Sequence, residues 1–338
     1  MAASAATVGG EQRRVDFVDL FSRFAPLIFL LLLVLVMSFL EPGFRTPRNL
    51  FNVMRQVSIV GILAVGVTFV ILTAGIDLSV GSMLAFAGIV CASVAKGTRE
   101  LLAGGVTDPG GIRVLYAVLA ALAVGFLIGA FQGALVARIG IPAFIVTLGG
   151  LTAWRGATLL WSGGQPISSF SPDFTFWGQG FIGPVPVPVV IFLLLVLVAH
   201  IVLKFTQYGR WIYAVGGNPE AARLSGLNVV MLTTSVYVIS GLCAGLGGFL
   251  QTSRLSSAEQ TAGQGYELDA IAAVVIGGTS LFGGQGGVIG TLIGALLVGV
   301  IKNALVIRNV NPYIQPIVIG AIIVLSVLFD QLAKKRRR

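Results

Sequence analysis

The sequence predicts an all-α polytopic membrane protein, and three observations carry that reading. Of its 338 residues 56% are hydrophobic and 10% charged, with a mean hydropathy of +0.96. A soluble domain averages about 25% charged residues, so this chain has too few charges to cover a water-facing surface. Its apolar residues run in long unbroken stretches, whereas a barrel strand is a segment of about ten residues that alternates apolar and polar. The third observation is 45 glycines, many of them inside apolar runs, where small residues let helix backbones approach one another in lipid.

A helix needs about 20 apolar residues to cross a bilayer. On that measure the spans fall at 24–40, 55–74, 78–96, 114–137, 141–161, 185–204, 229–250, 267–282, 287–306 and 313–331, about ten in all. The chain then divides into a cytoplasmic segment 1–23, a membrane domain 24–331 and a basic tail 332–338. The first run is long and is followed by "SFLEPGF", with no small-residue cleavage site, which predicts an uncleaved span. Two runs look irregular. The run 78–96 follows its predecessor almost without a loop, and the run 267–282 opens with Glu267 and Asp269 and is interrupted by Gly277-Gly278. Short, glycine-broken segments line pathways, because freed backbone groups persist only where protein or water satisfies them.

Charge sets the expected orientation. Arg13, Arg14, Arg23, Arg138, Lys204, Arg210, Arg223 and the five residues of the tail, 12 of the 22 lysines and arginines, fall on one side. The positive-inside rule makes that side cytoplasmic, with both termini there. The net charge of +9 is therefore a membrane signature. Its largest cluster directly follows a span, where anionic lipid attracts it, and nucleic-acid binding is not expected.

Catalytic signals are absent from the sequence. Cys91 and Cys243 lie far apart in apolar runs and make neither a disulfide framework nor a metal spacing. One histidine, His200, makes no triad and no metal site. No glycine-rich loop ends in Gly-Lys-Ser or Gly-Lys-Thr, so nucleotide hydrolysis by this chain is not expected. Gly178, Gly180 and Gly183 formally match G-x-G-x-x-G, but "PVPVPVV" follows where a helix should open. No cofactor and no metal are implied.

Two polar stretches stand out. In "TAGIDLSVGS", residues 73–82, Gly75 can end a helix in the left-handed conformation, and Asp77 with Ser79 can bond the first amides of the next. A capped turn explains these residues. So does a polar wall or gate, since an acid at the bilayer centre costs about 2.5–3.5 kcal/mol and is kept for a role. Asp269 is a third pathway candidate on the same ground. In "GGNPEAARLSGLNV", Asn218 suits an N-cap, Pro219 the first helical position, Glu220 the positive helix end and Gly226 the stop. Arg223 is one turn from Glu220. So short a helix needs a surface to rest on, and Ala221, Ala222 and Leu224 are expected to face outward into a partner's groove. Packing on this chain's own span ends is the alternative. "FGGQGGVIGTLIGALLVG", from Phe282, predicts a glycine turn leading into a closely packed span.

Glu220-Ala221-Ala222, three intervening residues and Gly226 resemble the E-A-A-x-x-x-G signature of ABC-importer permeases. The Leu-Pro that often follows is replaced by Tyr237-Val238-Ile239. With "TAGIDLSVGS" and "GGTSLFGGQGGVIGT", that departure resembles the ribose-type branch of monosaccharide permeases. The resemblance implies a ten-span permease fold with a cytoplasmic coupling helix in the loop 205–228, contacting an ATPase through Gly217, Asn218, Pro219, Glu220, Ala221, Ala222, Arg223, Leu224 and Gly226. It further implies a second permease chain, identical or related, an ABC ATPase with two fused nucleotide-binding halves, a periplasmic sugar-binding protein and a bacterial inner-membrane location. ATP hydrolysis would belong to the partner and the cargo would be a monosaccharide or small polyol. An ion-coupled secondary transporter, using Asp77 or Asp269, is the rival reading.

Overall fold

The computed structural model describes residues 17–97, 110–311 and 313–336. Helix starts follow local chemistry. Thr46 accepts a hydrogen bond from the Asn49 amide at 3.4 Å, and Pro47, which has no amide to leave unpaired, opens α2 (Pro47–Leu72). Ahead of it lie α1 (Phe17–Leu40) and a 3₁₀ turn, Pro42–Arg45. After it come α3 (Val80–Lys96), α4 (Gly110–Ala134), which ends in a π turn over Leu135–Ile139, and α5 (Ala143–Ser162). A short helix α6 (Pro172–Gln179) precedes α7 (Val187–Phe205), α8 (Gln207–Gly217) and α9 (Pro219–Leu224). The chain continues through α10 (Val229–Leu255), α11 (Tyr266–Ile276), α12 (Val288–Ile307) and α13 (Ile314–Arg336). Two small antiparallel ribbons join Ile167–Ser168 to Ser257–Ala258 and Phe181–Ile182 to Val185–Pro186.

Among the described residues, six helices are long and apolar enough to cross a membrane: α2, Arg113–Ile139, α5, α7, α10 and α12. Ala25–Leu40 and α3 are shorter apolar helices. The predicted span 267–282 is not one helix. α11 has 11 residues, about 16 Å of helix, and ends at Gly277, after which Gly278 turns with φ +87° and loop runs to Gly287. Without a side chain to hold it, the Gly277-Gly278 pair breaks the run there. The final predicted span falls in α13. The stretch between the predicted spans 141–161 and 185–204 contains α6, which Ser171, Pro172 and Asp173 start in the usual cap order. Its glycine triplet runs into the second ribbon, so no nucleotide-binding turn forms. Arg13 and Arg14, and most of the stretch between the predicted spans 78–96 and 114–137, lie outside the described residues.

The core forms around α2, whose residues from Val57 to Leu72 are all buried. A helix apolar on every side is stable only when other helices surround it, and α7, α10, α11 and α12 all pack against α2. Glycines set a close seam between α4 and α10. A Cβ added to Gly125 on α4 would lie 2.1 Å from the Gly241 carbonyl oxygen on α10, and one added to Gly241 would lie 2.1 Å from that of Gly125. Farther along, a Cβ at Gly129 would meet the Tyr237 carbonyl at 2.3 Å and one at Gly245 the Ala121 carbonyl at 2.4 Å. Cys91 and Cys243 are free, buried core residues.

Polar contacts join α12 to its neighbours. Lys302 forms an ion pair with Asp269 of α11. Asn49 and Asn303 exchange two amide hydrogen bonds, of 3.0 and 2.7 Å. Arg308 meets Glu41 at 3.3 Å.

Candidate functional site

Two of the predicted polar stretches form local sites, and backbone contacts connect them. The first is the turn between α2 and α3. α2 stops at Leu72, and the residue that turns left-handed is Ala74, with φ +60°, rather than the expected Gly75. The Ala74 amide donates to Ile71 and the Gly75 amide to Val70, the paired bonds of a Schellman ending. Helix α2 ends earlier than the apolar run suggests, so the left-handed position falls one residue earlier too.

Asp77 beyond it is fully buried. Its Oδ1 accepts from the Ser79 amide at 3.0 Å and the Ser79 hydroxyl at 2.7 Å, and its Oδ2 accepts from Ser240 of α10 at 2.8 Å. Ser79 occupies the N-cap position of α3 but makes no capping bond. Its hydroxyl also reaches Gln132 Oε1 of α4 at 3.0 Å. The Tyr237 hydroxyl donates to the Ile76 carbonyl at 3.2 Å. Asp77 therefore does more than start a helix: its carboxylate ties the turn to α10 and, through Ser79, to α4. Gln132 and Ser240 were not singled out from sequence, although a polar side chain within an apolar run is the signal that could have found them.

Asp269 is also buried, on α11, but its partner is Lys302. The sequence reading missed Lys302. Asp269 and Asp77 thus have separate partners.

The second site is the α8–α9 hairpin. Asn218 Oδ1 accepts from the amides of Glu220 and Ala221, at 3.1 and 3.0 Å, and Pro219 takes the first helical position, as the sequence predicts. Arg223 closes a two-point pair on Glu220, Nη2 to Oε1 at 2.7 Å and Nε to Oε2 at 3.2 Å. Both side chains stay about two-thirds exposed. That contact holds the Glu220 carboxyl below the usual carboxylate range and raises Arg223. Gly226, with φ +85°, ends the helix in a second Schellman arrangement, its amide on Arg223 and that of Leu227 on Ala222.

Ala221 and Leu224 face outward, and Leu224 is 78% exposed. Ala222 does not, contrary to expectation. It is buried with Val215 and Leu232, because one face of so short a helix has to rest on the body of the chain. Gly217, Asn218 and Pro219 are exposed around it.

The two sites touch through backbone. A Cβ at Gly216, near the end of α8, would lie 1.8 Å from the Leu72 carbonyl oxygen. The same carbonyl accepts from the Gly284 amide at 3.0 Å, and the Tyr213 hydroxyl donates to Gly286 at 2.8 Å. The exposed helix α9 is thus seated, through α8 and the glycine loop, on the last residue of α2, at the start of the turn that carries Asp77.

A helical bundle with several membrane-crossing lengths, a polar cluster inside and a capped helix on its surface has the architecture of a multi-pass membrane protein. The chain belongs to the family described as "Branched-chain amino acid transport system / permease component", whose profile matches residues 49–327. It is similar to the ribose import permease protein RbsC of Escherichia coli (strain K12), 47% identical over 308 residues, covering 90% of this chain and 92% of the relative. It is also similar to the D-allose transport system permease protein AlsC of the same organism, 38% identical over 327 residues and 96% of each chain. The galactose/methyl galactoside import permease protein MglC, again from that organism, is 36% identical over 321 residues, 92% of this chain and 94% of the relative. No solved structure matches. The chain is a permease component rather than an enzyme.

Proposed function

We propose that this chain is the membrane subunit of an ATP-driven importer for a monosaccharide or related small polyol, in a bacterial inner membrane. The names of its relatives, which import ribose, allose and galactose, support the cargo class. The observation that carries the coupling is the outward-facing, doubly capped helix α9, seated by Gly216 on Leu72. In this reading α9 is the coupling helix. Gly217, Asn218, Pro219, Glu220, Ala221, Arg223, Leu224 and Gly226 meet the ATPase, while Ala222 supports them from within. The membrane domain has ten crossings, α11 with the glycine loop being the irregular one, and both termini are cytoplasmic.

The remaining partners belong to the same proposal: a second permease chain, identical or related, an ABC ATPase with two fused nucleotide-binding halves, and an extracytoplasmic sugar-binding protein. ATP binding closes the ATPase halves and displaces α9. Because Gly216 abuts Leu72, the displacement reaches the end of α2 and the turn holding Asp77 and Ser79, which we assign to the pathway. A ligand shifts such an equilibrium only by its differential affinity for the two states, so ATP must favour one seating of α9 over the other. Asp269 serves as the anchor of Lys302.

The ion-driven reading needs a buried acid free to exchange its proton. Asp77 accepts three hydrogen bonds and Asp269 is paired with a lysine, which counts against it. The test is co-purification. The tagged chain, solubilised gently from its own cells, is expected to bring down an ATPase, and Glu220→Lys to lose it while reaching the membrane at normal levels. An unchanged ATPase yield with Glu220→Lys overturns the coupling role of α9.

A further inference from the structure

A cavity of about 450 Å³ lies between α4, α6, α7 and α10. Its depth in the membrane follows from α10. Leu232, near the start of α10, packs with Ala222 of α9. Ser253, near the other end, donates to the Phe174 carbonyl of α6 at 2.6 Å. Leu232 and Ser253 are about 32 Å apart along the helix, which matches the roughly 30 Å of a bilayer's hydrocarbon. The cavity beside α6 therefore sits at the membrane interface opposite α9.

The frame of the cavity is fixed. α6 lines it with Asp173, Phe176 and Trp177, and α6 is fastened to α10 at several points. Besides the Ser253 bond, Gln179 Nε2 donates to the Arg254 carbonyl at 2.9 Å, and a Cβ at Gly178 would lie 2.2 Å from the Arg254 nitrogen. Trp177 meets Phe249 of α10 with ring centroids 6.3 Å apart. These contacts hold the space open rather than let it collapse. Val118 of α4, Ile191 of α7 and Leu246 of α10 continue an apolar wall. Leu115, in the same wall, is 55% exposed, so the cavity opens onto the outward flank of α4. Phe176 and Trp177 are also partly exposed, as aromatic side chains are at a membrane interface.

The chemistry selects the occupant. The wall is hydrocarbon and aromatic except for Asp173. That carboxylate is exposed and has no ion pair among the described residues. A lipid tail gains little by leaving other tails for an apolar wall, because tails are as apolar as leucine. Selection has to come from the headgroup. A carboxylate repels an anionic headgroup and accepts charge-assisted hydrogen bonds from an ammonium. We propose that this cavity is a binding site for one acyl tail of an aminophospholipid, whose primary ammonium meets Asp173. The tail fills the space between α6 and α10, and the headgroup stays at the interface. The inference needs only that the protein spans a membrane, and it stands whichever solute is carried.

The test is fluorescence quenching of Trp177 in the full chain, reconstituted in vesicles of phosphatidylethanolamine and phosphatidylcholine in equal parts. Bromine is placed on the tails of one lipid, then of the other. Phosphatidylcholine carries the same cation without an N–H. Trp154→Phe, Trp161→Phe and Trp211→Phe remove the other tryptophans. Should that variant not accumulate, the difference between the unaltered chain and Trp177→Phe gives the same signal. Phosphatidylethanolamine is expected to occupy the site about two- to fivefold more than phosphatidylcholine, the range of an exposed charged contact. Asp173→Asn is expected to abolish that preference, and Val118→Phe, which fills the cavity, to lower quenching by both lipids. Equal occupancy by the two lipids, or a preference that survives Asp173→Asn, overturns the site. Absence of quenching by either lipid overturns it too, and assigns the mouth of the cavity to a covering protein surface.

Discussion

Ser240 on α10 donates to Asp77 Oδ2 at 2.8 Å, fastening the turn after α2 to a helix 163 residues along the chain. Removing that hydroxyl leaves a buried carboxylate oxygen bare. Ser240→Ala is expected to destabilise the protein by about 1–3 kcal/mol, read as a lower thermal midpoint in detergent. Asp77→Asn keeps an oxygen for Ser79 and is expected to fold and insert. If the turn belongs to the pathway, uptake by that variant in intact cells falls. Normal uptake makes Asp77 a fastening of the turn and nothing more.

Lys302 and Asp269 supply an opposite pair of predictions. Lys302→Met strands a buried acid and is expected to cost about 3–5 kcal/mol. Adding Asp269→Leu removes the stranded charge and is expected to restore most of the loss. Unfolding of the two variants in mixed detergent measures both, and a double variant as unstable as the single one refutes the pairing argument.

Gly216 leaves no space for a side chain. Gly216→Val would force its branch into the Leu72 carbonyl, and that atom is backbone that cannot swing aside. The variant is expected to reach the membrane, lift α8 from α2 and uncouple ATP hydrolysis from uptake. Transport and hydrolysis measured together report this as hydrolysis without cargo.

The Glu220–Arg223 pair has a defined pH window. Glu220 has a folded value below its ordinary one, so its contribution is present above about pH 4.3 and lost as pH falls through the lower folded value. Arg223 is shifted upward, and its contribution is lost only at alkaline pH far above the working range. ATPase binding to the solubilised permease is therefore expected to be flat with respect to this pair from about pH 6 to about pH 8. A binding midpoint inside that interval would assign the contact to other groups.

Local punctuation was the legible part of the sequence. Asn218, Pro219 and Gly226 state the start and end of α9 without help from the rest of the chain, because each acts on its own backbone. The long apolar runs gave most of the helices for the same reason. What stayed hidden depends on neighbours distant in sequence. Nothing around Ala222 says that it faces inward, since the surface it rests on is supplied by Val215 and Leu232. Gln132, Ser240 and Lys302 read as isolated polar residues until helix packing brings them to Ser79, Asp77 and Asp269. The break in 267–282 was legible from Gly277-Gly278 inside the apolar run; that the helix stops there, with loop as far as Gly287, was not.

The glycine seam between α4 and α10 decides where motion can occur. Its backbones already touch, carbonyl against α-carbon, from Ala121–Gly245 to Gly129–Tyr237. Such a contact offers no slack for sliding and no side chains to repack. The two helices therefore travel as a single beam, and Ser240 and Gln132 ride on it together. A Cβ at Gly248 of α10 would likewise lie 2.5 Å from the Leu84 carbonyl oxygen of α3, so α3 belongs to that beam and any opening of the passage has to be a hinge about all three.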